Sequence, residues 1–183
     1  TDAEQRKRTG EALDKAVEKQ QAVENSLTEM LRHLSQWDDY GKFHEELNKI
    51  RQEQERLAGE TLEHLQRQLR KPDEPKQTEK KSAELGEKQG ELSRRFEALR
   101  QQMRRGRDEG DAQGAAALER ALEAAERENP AEAMRQAGQM LDENRNGGVA
   151  GKQQEAIEKL GRVMQALSAS KADDLNRLVA KLR

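Results

Sequence analysis

The chain has 183 residues, of which 38% are charged, 32% hydrophobic and only 2% aromatic, and its formal net charge is -2. Abundant Glu, Lys, Arg, Gln and Ala favour long helices, and the shortage of β-branched and aromatic residues disfavours sheet. The near-neutral balance argues against a dedicated nucleic-acid binder, the absence of cysteine excludes disulfides, thiolate zinc sites and a Cys nucleophile, and no apolar stretch approaches the length that spans a bilayer.

The first predicted element is a Pro-free run, about residues 3–70, closed by Lys71-Pro72-Asp73-Glu74-Pro75. Unbroken, it would extend roughly 100 Å at 1.5 Å per residue, so it must lie along other helices. Its seam begins at Leu13, Gln20, Leu27, Leu34 and Gly41, interleaved with Ala16, Val23, Met30, Trp37 and His44, a heptad pattern. After His44 the phase slips by one, to Leu47, Gln54 and Thr61 with Ile50, Leu57 and His64. Leu62, Leu65 and Leu69 shift the apolar face once more.

Helix 2 is predicted over about 76–105, with Leu85, Leu92 and Leu99 alternating with Gln89, Phe96 and Met103. A short linker predicts an antiparallel return on helix 1, placing Phe96 near residue 50 and Met103 near Phe43. A local core of Trp37, Tyr40 and Phe43 is expected there. Residues 106–114, entered through Arg104-Arg105, read as a Gly/Arg-rich joint.

Short helices follow over 115–183. Helix 3 covers about 115–128, with Leu118, Ala121, Leu122 and Ala125 inward. Asn129-Pro130-Ala131-Glu132 predicts a capping box opening helix 4, which runs to about Asn144. Asn146-Gly147-Gly148 marks a stop, helix 5 covers about 150–168, and Ser170-Lys171-Ala172-Asp173 opens a sixth helix with Leu175, Leu178, Val179 and Leu182 inward. This bundle is expected to cover the N-terminal half of helix 1. The fold class expected is therefore all-α: a long antiparallel, coiled-coil-like hairpin over 1–105 and a small C-terminal bundle.

The Gln/Glu/Arg-rich hairpin, followed by Ala133-Met134-Arg135-Gln136-Ala137 and Gln153-Gln154-Glu155-Ala156-Ile157, resembles segments of large coiled-coil-rich bacterial proteins of unknown function, often envelope-associated. The resemblance covers mostly residues 85–167 and implies no active residues. Cell envelope and cytoplasm both remain open as compartments, and the start at Thr1 suits a processed protein or a piece of a longer one.

Candidate chemistry is sparse. His33 and His44 are about 16 Å apart by helical rise, too far for one metal, and His64 with Glu60 lacks further ligands. The carboxylate pairs Asp38-Asp39, Glu45-Glu46 and Asp173-Asp174 diverge by about 100° on a helix. Arg104, Arg105 and Arg107 suggest an anion contact that Asp108, Glu109 and Asp111 offset. No catalytic, cofactor or metal residues are assigned, and no enzymatic activity or small-molecule substrate is expected. The functional expectation is a structural or scaffolding protein acting through helix–helix contact, with a protein partner or self-association. Its packing candidates are Leu27, Leu34, Trp37, Phe43, Leu47, Ile50, Leu92, Phe96 and Met103. The alternative is a helical-repeat-like module that accepts a partner helix or peptide on helices 3 to 5, where Met134, Met140 and Met164 would form an adaptable surface.

Overall fold

A computed structural model describes the backbone over residues 2–70, 75–109 and 112–181, and side-chain surroundings over residues 13, 15–28, 40–70, 77–109, 115–116 and 118–169. Among the described residues there are five α-helices, no strand, and one 3-10 turn. The helices are α1 (Asp2–Arg70), α2 (Pro75–Glu109), α3 (Ala112–Glu128), α4 (Pro130–Asp142) and α5 (Val149–Lys181), with the turn at Asn146–Gly148. The chain divides into two compact units, Thr1–Asp39 and Tyr40–Arg183.

In the larger unit the second part of α1 meets α2 through pairs that run in opposite directions along the two helices. His64 meets Ser82, Glu60 meets Lys88, Gln54 meets Gln89, and Glu53 and Glu46 both reach Arg95. The buried residues of this part of α1 are Tyr40, Leu47, Ile50, Gln54, Leu57, Thr61 and His64, with Phe43 packed partly buried against them. On α2 they include Ser82, Leu85, Gln89, Leu92, Phe96, Leu99 and Met103. Both rows alternate steps of three and four, as one face of a helix requires.

These rows bear on where the phase changes. Gly41 and His44 are exposed while Tyr40 is buried, so the register carried by Leu47 and Ile50 already holds at Tyr40. The register of Leu47 and Ile50 therefore does not begin after His44 but already includes Tyr40. Leu62 and Leu69 are exposed, so the inward face does not shift again near the end of α1. Thr61 and His64 hold it, because their polar groups find buried partners.

Within the larger unit the hairpin helices and the bundle helices share a core. One core joins residues from Tyr40 to Leu167, with α2 packed on α3 and α4, and α5 on α3 and α4. α5 also reaches α1, where Gln153 Nε2 donates to Thr61 Oγ1 at 3.0 Å. α2 and α4 come into close contact at Gly86 and Gly138, where a Cβ on either would lie 3.2 Å from the other's carbonyl oxygen. Each Leu sealed in such a core contributes about 1.5–3 kcal/mol.

Four local expectations are corrected. The Gly/Arg-rich stretch is no loop up to Glu109: α2 continues through it because Gly106 lets Phe43 and Leu118 close in, a Cβ there lying 3.4 Å and 3.3 Å from their side chains. α3 likewise starts at Ala112, so residues 112–114 belong to it. Asn129 makes no side-chain cap bond; it adopts φ 46° and ψ 60°, ends α3 with its N–H on Ala125 O, and leaves Pro130 to open α4. Glu132 instead binds Arg135 and Gln136. The backbone stays helical through Ser170–Asp173, making the expected fifth and sixth helices one, because residues with capping preferences do not stop a helix that no Gly or Pro interrupts there.

α4 ends at Asp142, close to the expected end near Asn144, and its stop is made by Asn144 rather than by the Asn-Gly-Gly that follows. Asn144 has φ 52°, its N–H reaches Leu141 O, and Arg145 N–H reaches Met140 O at 2.8 Å. This is the paired-bond stop in which Asn replaces the usual glycine. The linker at 71–74 and the side chains of Leu34, Trp37, Leu175, Leu178, Val179 and Leu182 lie outside the described residues.

Candidate functional site

In the smaller unit the helix carries Leu13, Val17, Val23 and Leu27 on its surface, each between 54% and 62% exposed. Leu27, expected as a packing residue, is therefore not packed within the chain as described. Three polar side chains of this stretch bond within their own helix. Ser26 donates to Ala22 O, Thr28 donates to Glu24 O, and Gln20 Nε2 donates to Glu24 Oε1 at 3.4 Å. Isolated exposed apolar residues are ordinary; these four fall on one side of the helix.

The larger unit encloses two polar layers. In the first, Gln54 and Gln89 exchange hydrogen bonds of 3.1 and 2.5 Å across α1 and α2. Gln153 of α5 donates from Nε2 to Gln89 Oε1 at 3.1 Å and to Thr61 Oγ1. All four residues are fully buried, and Gln153 Oε1 has no protein partner. Gln54 and Gln89 fall on predicted seam positions; Gln153 was missed. It sits in step with Val149, Ala156, Leu160, Val163 and Leu167, all buried, so extending the heptad back from Ala156 would have found it.

In the second layer His64 Nε2 lies 3.0 Å from Ser82 Oγ and 3.2 Å from Gln68 Nε2, and Asn146 Nδ2 donates to Gln68 Oε1 at 2.8 Å. Burial, reinforced by the positive charges of Lys81 and Arg67, lowers the His64 pKa below its usual value. A Ser–His contact of this length resembles an activated nucleophile. Here Ser82 is only 1% exposed and Gln68 shares the same ring nitrogen, so the hydroxyl is buried while His64 and Gln68 border an open cleft. Glu60 does not join His64; it binds Lys88 Nζ at 2.7 Å, and that bond lowers its pKa. Among the described residues no group of three or more His, Asp or Glu side chains is placed to hold a metal.

Beside His64 an open cleft of about 650 Å³ is bordered by Arg67, Arg70, Lys80 and Lys81. Glu63 and Glu84 pair with Arg67 and Lys81, each at 3.3 Å, and offset part of its charge. Two arginines of the expected anion contact are internally paired, Arg104 with Glu126 and Arg107 with Glu119 and Asp108, while Arg105 is exposed.

Leu47, Ile50, Leu92, Phe96 and Met103 are buried, and Phe43 is half-buried beside Gly106 and Leu118, one turn past Met103. Met134 is fully buried, whereas Met140 and Met164 are partly buried against the core, Met140 lying over Gly148. The three methionines therefore do not form one open surface. Among the described residues no helix is long and apolar enough to cross a membrane. Comparison with protein-family models, with curated proteins and with solved structures finds no match.

Proposed function

We propose that this chain is a structural protein that works by helix–helix contact, with the bundle at 40–183 as a self-contained body and the stripe at 13–27 as the contact surface. The observation that carries this reading is the stripe itself: Leu13, Val17, Val23 and Leu27 remain more than half exposed, at positions a coiled-coil partner would cover. The glutamine layer is sealed and Ser82 beside His64 is buried, which supports a scaffold more than an enzyme. The alternative, a groove on α3–α5, would rest on Met140 and Met164, which stay partly exposed, without Met134, which is fully buried.

The test compares Val23→Asp/Leu27→Asp with the unaltered chain by light scattering and by hydrogen exchange over residues 13–28. Loss of assembly and of amide protection in this segment, with an unchanged bundle melt, is expected. An assembly state and exchange pattern untouched by the double substitution would overturn the reading.

A further inference from the structure

Resting on that reading, we propose that the partner of the 13–27 stripe is a second copy of this chain, paired parallel and in register. Leu13, Gln20 and Leu27 occupy one core position of the heptad, and Ala16 and Val23 the other. In a parallel pair like positions face each other, so Gln20 meets Gln20 of the second copy. Two glutamines can satisfy one another in a buried seam, as Gln54 and Gln89 do by exchanging two hydrogen bonds across the antiparallel α1 and α2 of the bundle, where α5 completes the layer. In an antiparallel two-stranded pair, with no third helix beside it, the two kinds of core position meet, and Gln20 would face Val23 or Ala16, leaving a buried amide without a partner.

The flanking charges select the same arrangement. Lys19 immediately precedes the Gln20 position and Glu24 immediately follows the Val23 position. These flanks approach one another across a parallel seam, five residues apart in sequence, so Lys19 of each copy reaches Glu24 of the other. In an antiparallel seam each flank faces its own kind. Lys19 would then meet Lys19 or Ser26, and Glu24 would meet Val17 or another Glu24, with no attraction available. The long 3.4 Å bond from Gln20 to Glu24 within one helix is replaced at little cost by the two intermolecular contacts.

The full chain lacks cysteine, which makes a cross-link unambiguous. Gln20→Cys alone, under mild oxidation, is expected to give a covalent dimer, and so is Val23→Cys alone. The unaltered chain is expected to pass from 20.8 kDa towards twice that mass with rising concentration. Lys19→Glu should weaken the dimer by about 3- to 5-fold from two exposed ion pairs, and Lys19→Glu/Glu24→Lys should restore it. A 20.8 kDa species at every concentration would overturn the proposal. So would a mixture of the two cysteine variants cross-linking in preference to either alone, which signifies an antiparallel pair. A dimer dissolved by Leu27→Asp yet not locked by Gln20→Cys removes only the parallel arrangement. A dimer indifferent to Leu27→Asp removes the stripe reading as well as the proposal.

Discussion

Residues 13–27 and residues 40–64 carry similar patterns and meet different ends. Both alternate apolar positions in steps of three and four, and both place glutamine among them, at Gln20 and at Gln54. In the second segment the row from Tyr40 to His64 is sealed; in the first, Leu13, Val23 and Leu27 face solvent and Gln20 bonds to Glu24 of its own helix. The difference comes from supply of partners. α2 has 35 residues and folds back along residues 40–70, and α5 brings Gln153 to Thr61 on the same side. A heptad row specifies an apolar face, and chain topology decides whether that face finds its cover within the chain.

The strongest way to break this comparison is to place a charge in each row. Leu92→Asp puts an unpaired carboxylate in the sealed seam and should cost about 4 kcal/mol or more, lowering helicity and melting temperature together. Leu27→Asp should leave the bundle melt unchanged. Equal effects from both would show that the two rows are not different environments. Next in size is the crossing of α2 and α4. Gly138→Val forces a side chain against the Gly86 carbonyl and should cost about 2–3 kcal/mol by overpacking. Gly161→Ala, where a Cβ meets nothing within 4 Å, should stabilise by about 0.5–1 kcal/mol. Paired thermal melts of these two variants check it.

Legibility in the sequence followed the same divide. Spacing alone placed Leu47, Ile50, Leu57, Leu85, Leu92 and Leu99 in the core, because one buried stripe on a long helix leaves a repeat that solvent-facing residues do not obscure. It could not say which rows are covered, so Leu27 was expected inside. It misread Gly106 as a joint because a glycine at a close helix contact and a glycine in a loop are the same letter. Asn129 was read as a cap for the helix after it, although its left-handed backbone serves the helix before it. The two polar layers were half visible: Gln54, Gln89 and His64 stood on the seam, but Ser82, Gln68 and Asn146 acquire meaning only through contacts between distant parts of the chain.

The glutamine layer gives a third, smaller contrast. Gln89 accepts from both Gln54 and Gln153 and donates to Gln54. Gln89→Leu should cost about 1–3 kcal/mol, because both partners keep buried amides without that contact. Adding Gln54→Leu should recover part of the loss, since an apolar pair leaves fewer groups unsatisfied. Gln20→Leu, in the exposed row, should leave the bundle melt where it is. Chemical denaturation of the three variants decides between a layer that matters as a unit and four independent side chains.

The smallest effect sharpens the comparison through pH. The folded bundle holds the His64 pKa below the usual 6.5 by burying the ring, with Lys81 and Arg67 adding to the shift. The unfolded chain therefore takes up a proton at a higher pH than the folded one. Stability from the neutral ring is complete above pH 6.5 and is lost as the pH falls from there to the folded value. The paired carboxylates do not blur this window. Glu60, Glu128, Glu132 and Glu155 are all lowered from 4.5 by their cationic partners, Glu155 to about 2 between Lys152 and Lys159, so their losses come at more acid pH. The melting temperature should fall between pH 7.5 and pH 5, and His64→Gln should flatten that slope while lowering the plateau. A slope unchanged in His64→Gln would mean that the proton is taken up elsewhere in the chain.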